Sequence, residues 1–241
     1  MALDLSGRTA IVTGSSKGIG YAIAEALARA NANVVVSARK PAEVTEAARR
    51  LEELGSGKVL GIPCDVGRLD DVTRLVAQTA ETLGGIDILV NNAGYGFFTP
   101  VDQIAPEDWD RLIATNLSGV FYCCHETIPH LRGSDDAWII NIASLAGKNP
   151  FAGGSAYNAS KFGLVGFSEA MMLDVRQQGI RVSYIMPGSV ETYFNHNQPS
   201  DKGAWKIQPE DIGQVVMDLL SLPKNSLVSR VEMRPSRPPT G

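Results

Sequence analysis

Thr13-Gly14-Ser15-Ser16-Lys17-Gly18-Ile19-Gly20 follows a short apolar run, Thr9 to Thr13, and precedes an amphipathic stretch from Gly18 to about Ala30. Strand, glycine-rich turn, helix is the reading that decides the fold. Glycines at such a turn let backbone approach a ligand closely. A diphosphate placed there meets the free N–H groups and the positive dipole end of the next helix. The spacing is G-x-x-x-G-x-G, not the G-x-G-x-x-G of the dinucleotide fingerprint.

Outward from this turn the pattern repeats. Strands are expected at Asn33 to Ser37, Lys58 to Ile62, Ile86 to Asn91, Ala137 to Ile142, Arg181 to Met186 and Leu227 to Met233. Helices are expected at Pro41 to Leu54, Leu69 to Leu83, Pro106 to Leu131 (mostly helical), Tyr157 to Gln178 and Pro209 to Leu222. Pro41 and Pro209 stand where a helix start favours proline. The strand ending at Asn91 is apolar on both faces, as a central parallel strand must be. Alternating strands and helices predict an α/β fold: one doubly wound Rossmann domain, residues 1–241, with a seven-stranded parallel sheet flanked by helices. The tail 235–241 is proline-rich and expected to be loose.

The 241 residues carry a formal net charge of -4, with 44% hydrophobic and 20% charged residues. That balance speaks against a nucleic-acid or anionic-membrane binder, which needs a basic face. No apolar run approaches the ~20 residues of a membrane span. The start, M-A-L-D-L-S-G-R, lacks the apolar stretch of a secretory signal. Three cysteines, Cys64, Cys123 and Cys124, form no metal-ligand or disulfide pattern. A cytoplasmic protein without a metal is expected. His125 and His130 are five apart with Pro129 between them, which does not make a zinc helix.

Three further residues carry chemistry. Tyr157 and Lys161 are four apart in a helical stretch and share one face. A phenol of pKa ~10 exchanges protons poorly at neutral pH, and a neighbouring ammonium lowers that value. Tyr157 could then protonate a carbonyl oxygen or deprotonate an alcohol. Ser144, just past a strand, can hold the same oxygen.

With these motifs in order, the chain resembles the short-chain dehydrogenases/reductases of the classical type, from about Leu5 to about Leu222. The resemblance rests on T-G-x-x-x-G-I-G, on Asn91-Asn92-Ala93-Gly94, on Asp65-Val66, on the order Asn116, Ser144, Tyr157, Lys161, and on Pro187-Gly188-x-Val190-x-Thr192. It implies an NADP(H)-dependent oxidoreductase that interconverts a carbonyl and an alcohol by hydride transfer, with Asn116, Ser144, Tyr157 and Lys161 catalytic. In the family, Asn116 bends its helix and binds a water that leads to the lysine, and Lys161 reaches the nicotinamide ribose. Cofactor contacts fall to Gly14, Ser16, Lys17, Gly18, Ile19, Gly20, Ser37, Arg39, Asp65, Val66, Asn92, Ala93, Gly94, Tyr157, Lys161, Pro187, Gly188, Val190 and Thr192. Thr192 is expected near the carboxamide. No acid ends the second strand, which reads Val35-Val36-Ser37-Ala38-Arg39-Lys40, so NADP(H) is expected over NAD(H).

Two departures matter. The segment 193–206, the family's substrate lid, is short. The last strand reads V-S-R-V-E-M-R-P where many members of the family, typical 3-oxoacyl-[acyl-carrier-protein] reductases included, have a glycine-rich segment, which turns the reading toward a broader carbonyl reductase or a hydroxy-acid or amino-acid alcohol dehydrogenase. A 3-oxoacyl-[acyl-carrier-protein] reductase and a non-catalytic NADP(H)-binding sensor or scaffold stand as alternatives. A homodimer or homotetramer is expected, with a small-molecule substrate.

Overall fold

The computed structural model describes residues 3–239. Seven strands form one parallel sheet: β1 (Thr9–Thr13), β2 (Asn33–Ser37), β3 (Val59–Gly61), β4 (Ile88–Asn91), β5 (Ala137–Ile142), β6 (Ile180–Pro187) and β7 (Arg230–Met233). Their order is β3-β2-β1-β4-β5-β6-β7, and every pair is parallel. The helices between them are α1 (Gly18–Arg29), α2 (Pro41–Leu51), α3 (Leu69–Leu83), α4 (Pro106–Ile113), α5 (Gly119–Leu131), α6 (Ser155–Val175) and α7 (Pro209–Leu220). The expected seven-stranded Rossmann sheet is what the chain folds into.

The chain leaves β1 for β2 and β3 on one side, then returns to β4 on the other. That reversal between β1 and β4 opens a crevice at the carboxyl ends of the strands, where ligands of open α/β sheets bind.

Two apolar layers fill the space on either face. One joins Ile23 and Leu27 of α1, Val44 and Leu51 of α2, and Ile212 and Val216 of α7 to Val12, Val34, Val90 and Ile140. The other joins Val72 and Leu75 of α3, Cys123 and Leu131 of α5, and Leu164 and Met171 of α6 to Ile11, Val35, Leu89 and Ile139. Successive residues of each strand serve opposite layers, because strand side chains alternate.

Differences from expectation are local. Predicted Lys58 to Ile62 contracts to Val59–Gly61. The stretch 106–131 is not one regular helix. A π-helical turn at Ala114–Ser118 separates α4 from α5. Pro129 lies within α5, near its end, and has no N–H to give the His125 carbonyl one turn earlier.

The bottom of the sheet carries a partly buried charge cluster. Arg181 on β6 bonds Asp136, stacks 4.0 Å over the Trp138 ring, and donates to the Leu222 carbonyl at 3.1 Å. Arg8 bonds the same Asp136 and lies 3.6 Å from Asp87. Asp87 in turn accepts from the Thr9 N–H at 2.8 Å and the Ser134 hydroxyl at 2.6 Å. β1, β4, β5 and β6 are thereby tied at the end away from the crevice.

Trp138 is fully buried among the largest core side chains. Trp138→Ala removes its packing and the face on which the Arg181 guanidinium rests. A loss of about 3–5 kcal/mol is expected, read as a lower urea midpoint at unchanged slope.

Candidate active site

Residues at the carboxyl ends of β1, β4, β5 and β6 surround one crevice. Its cavity, about 490 Å³, is lined by Gly14, Lys17, Gly18, Ile19, Arg39, Asn92, Gly94, Tyr157, Lys161 and Thr192, among others. A second, adjoining cavity of about 800 Å³ is lined by Ser144, Phe98, Phe151, Pro187, Gly188, Val190 and again Tyr157 and Thr192. A third, about 260 Å³, takes in Ser16, Arg39, Asp65, Val66 and Ala93. The three run from β2 across the switch point to β6, and Tyr157 and Thr192 line both of the first two.

The turn after β1 is built around Asn92. Its amide donates to the Thr13 and Gly14 carbonyls, both at 3.0 Å. The Thr13 hydroxyl accepts from the Asn92 and Ala93 N–H groups at 3.0 and 3.1 Å. These bonds clamp β1 to β4 where the chain leaves the sheet. Gly14 has φ +65° and Gly18 φ +61°, a left-handed backbone that side chains resist. At Gly20 crowding, not φ, demands glycine: an added Cβ would stand 2.4 Å from the Gly14 carbonyl oxygen and from the Asn92 amide.

At the end of β2, the Ser37 N–H bonds the Ser15 hydroxyl at 2.9 Å, while the Ser37 hydroxyl is buried without a partner. Lys40, on the wall of the third cavity, pairs with Glu43 at 2.8 Å, and Ser16 also reaches Glu43 at 3.4 Å. Lys17 lies 5.3 Å from the Tyr193 ring centre. The mouth beside Arg39 therefore holds one carboxylate, Glu43, that the sequence reading did not weigh.

The four expected catalytic residues come from three elements. Ser144 follows β5; its hydroxyl accepts from the Ala146 N–H at 3.1 Å and starts a short 3₁₀ turn. Tyr157 and Lys161 lie one turn apart on α6, both buried. Burial pushes the Tyr157 phenol up to about 12, against a hydrogen bond from Ser144 that lowers it. Burial also pulls the Lys161 ammonium down to about 8. Its Nζ donates to the Ile142 carbonyl at 2.9 Å and stands 5.9 Å from the Tyr157 ring centre.

Asn116 sits in the π-helical turn. Its Oδ1 accepts from the Tyr95 N–H at 3.0 Å; its amide donates to the Tyr95 carbonyl at 2.8 Å and to the Ser160 hydroxyl at 3.1 Å. The side chain is fully engaged, holding the loop after β4 against α6. Pro187 ends β6, and the Gly188 N–H bonds the Met233 carbonyl at 2.9 Å. Val190 bridges to Ile207, and the Thr192 hydroxyl accepts from the Phe194 N–H at 3.2 Å.

Phe194 is a contact the sequence reading missed. Its ring lies 5.5 Å from that of Tyr157, and Phe98 packs on the same tyrosine at 5.9 Å and on Phe151 at 5.1 Å. Phe98, Phe151 and Phe194 thus give the second cavity an aromatic wall around the phenol. Glu191, buried, pairs with Lys206 and accepts from the Ser200 N–H at 2.9 Å, tying the two ends of the 193–206 segment.

Comparison with known proteins places these motifs in context. The model of the short chain dehydrogenase family matches residues 8–203. A D-beta-hydroxybutyrate dehydrogenase of Rhizobium meliloti is 39% identical over 216 residues, 88% of this chain and 82% of that protein. Dehydrogenase/reductase SDR family member 4 of Oryctolagus cuniculus is 38% identical over 87% of this chain and 79% of its own. Among solved structures, an alcohol dehydrogenase from the archaeon Thermococcus sibiricus complexed with 5-hydroxy-NADP superposes at a TM-score of 0.90 with 27% identity, covering 97% of this chain and 99% of that one. A metagenomic short-chain oxidoreductase in complex with NADP gives 0.86 with 37% identity, covering 97% and 99%.

Gly20→Ala brings a methyl group against the Gly14 carbonyl and the Asn92 amide. The expected result is a folded protein with an unchanged far-ultraviolet spectrum, a lowered melting temperature and weakened nucleotide binding, read by calorimetric titration.

Proposed function

The chain belongs to the short-chain dehydrogenase family, and from that premise we propose that it is an NADP(H)-dependent oxidoreductase that reduces a carbonyl to an alcohol, or the reverse, with Tyr157 as general acid/base. The observation that carries the reading is Tyr157 at the join of two cavities, with Ser144 on the wall of one of them and Lys161 one helical turn away. One cavity is lined by the glycine-rich turn and suits the cofactor; the aromatic-walled one suits an apolar-bodied carbonyl compound.

The first cavity fits a dinucleotide on its own features. The left-handed Gly14 and Gly18 leave no Cβ over the turn, and the α1 N-terminus has no acidic residue in its first turn to repel a diphosphate. Gly14, Ser16, Lys17, Gly18, Ile19 and Gly20 would hold the phosphates, and Asp65, Val66, Asn92, Ala93 and Gly94 the adenosine side. Pro187, Gly188, Val190 and Thr192 would flank the nicotinamide. When bound, the nicotinamide supplies or accepts the hydride.

The chain's own groups handle the proton. In the reducing direction, the Tyr157 hydroxyl donates to the carbonyl oxygen while Ser144 hydrogen-bonds the same oxygen. Deprotonated Tyr157 is then stabilised by the Lys161 ammonium, whose attraction acts across a buried, weakly screened gap. Burial opposes that ionisation and pushes Tyr157 up to about 12. Burial draws Lys161 down to about 8, and only its protonated form can attract the phenolate. Asn116 holds the Tyr95 loop and α6 in register and is a positioning residue. The 193–206 segment is proposed as the lid over the aromatic-walled cavity.

NADP(H) preference rests on Arg39 at the end of β2, with no acid beside it on that strand. The Ser37 hydroxyl, by contrast, is buried and lines none of the three cavities. Glu43, near Lys17 and Lys40, opposes part of this charge and moderates the preference.

Two results follow. Tyr157→Phe keeps the fold and nucleotide binding but lowers kcat at least ~100-fold on a carbonyl substrate turned over by the wild type. A variant with near-normal kcat overturns the proton donor. The wild-type rate should fall above the titration of Lys161, near pH 8, as the ammonium is lost; Lys161→Arg, which stays charged, should lose that limb while keeping part of the rate.

Arg39→Ala should cost roughly tenfold to a hundredfold in NADPH affinity, the worth of one charge-assisted bond to a phosphate, and leave NADH nearly unmoved. The ratio of kcat/KM for the two nucleotides, measured in wild type and variant, decides it.

A further inference from the structure

No further inference is drawn: the strongest candidate, the exposed aromatic face formed by Phe121 on α5 and Phe162 on α6 with Phe167 packed against Phe121, carries nothing because nothing in the structure shows what covers it.

Discussion

The burial of one ammonium constrains the rest of the crevice. Lys161 has its whole side chain inside the protein, and an isolated buried charge is costly unless something receives it. The Ile142 carbonyl, on the last residue of β5, does so at 2.9 Å. The position of α6 against the end of β5 is thereby set, and with it the position of Tyr157 one turn earlier. Gly147 belongs to the same arrangement: an added Cβ would stand 2.7 Å from the Lys161 carbonyl, so the turn after Ser144 can approach α6 only as glycine.

Asparagines do the corresponding work around the crevice. Asn92 clamps the glycine-rich turn to β4, Asn116 clamps the loop after β4 to α6, and Asn158 donates to the Ala146 carbonyl at 2.6 Å, fixing the Ser144 turn. Deeper in, Asn91 donates to Asn141 at 2.9 Å and Asn141 to Ser168 at 2.8 Å, a buried polar chain linking β4, β5 and α6. An amide both donates and accepts, so one side chain satisfies two strands or a strand and a loop where water is excluded. Tyr157 and Lys161 are held on α6, while the 193–206 segment is tied down by Glu191 with Lys206 and Ser200, by Phe194 against Tyr157 and by Tyr193 beside Lys17.

Strand and helix positions were legible in the sequence because apolar periodicity and turn residues act locally. The glycine-rich turn, the empty acid position after β2 and the Tyr157–Lys161 spacing were legible for the same reason: each is a short-range pattern. Boundaries were less so. β3 shortens to three residues, and the 106–131 stretch breaks at a π-turn whose cause, Asn116 bonding backward to Tyr95 and across to Ser160, is a contact between segments far apart in sequence.

What only the tertiary structure decided is which side chains meet. Lys17 and Arg39 are both cations near the end of β2 in the sequence reading; the fold sets Lys17 beside Tyr193 and pairs Lys40, next to Arg39, with Glu43. It brings Phe98, Phe151 and Phe194, drawn from three separate loops, around Tyr157. It also turns two ordinary titrating groups into perturbed ones, since the loss of water around Tyr157 and Lys161 comes from elements more than a hundred residues apart. Composition and spacing name the groups that can do the chemistry. Desolvation, which sets their proton affinities, exists only once distant segments have closed over them.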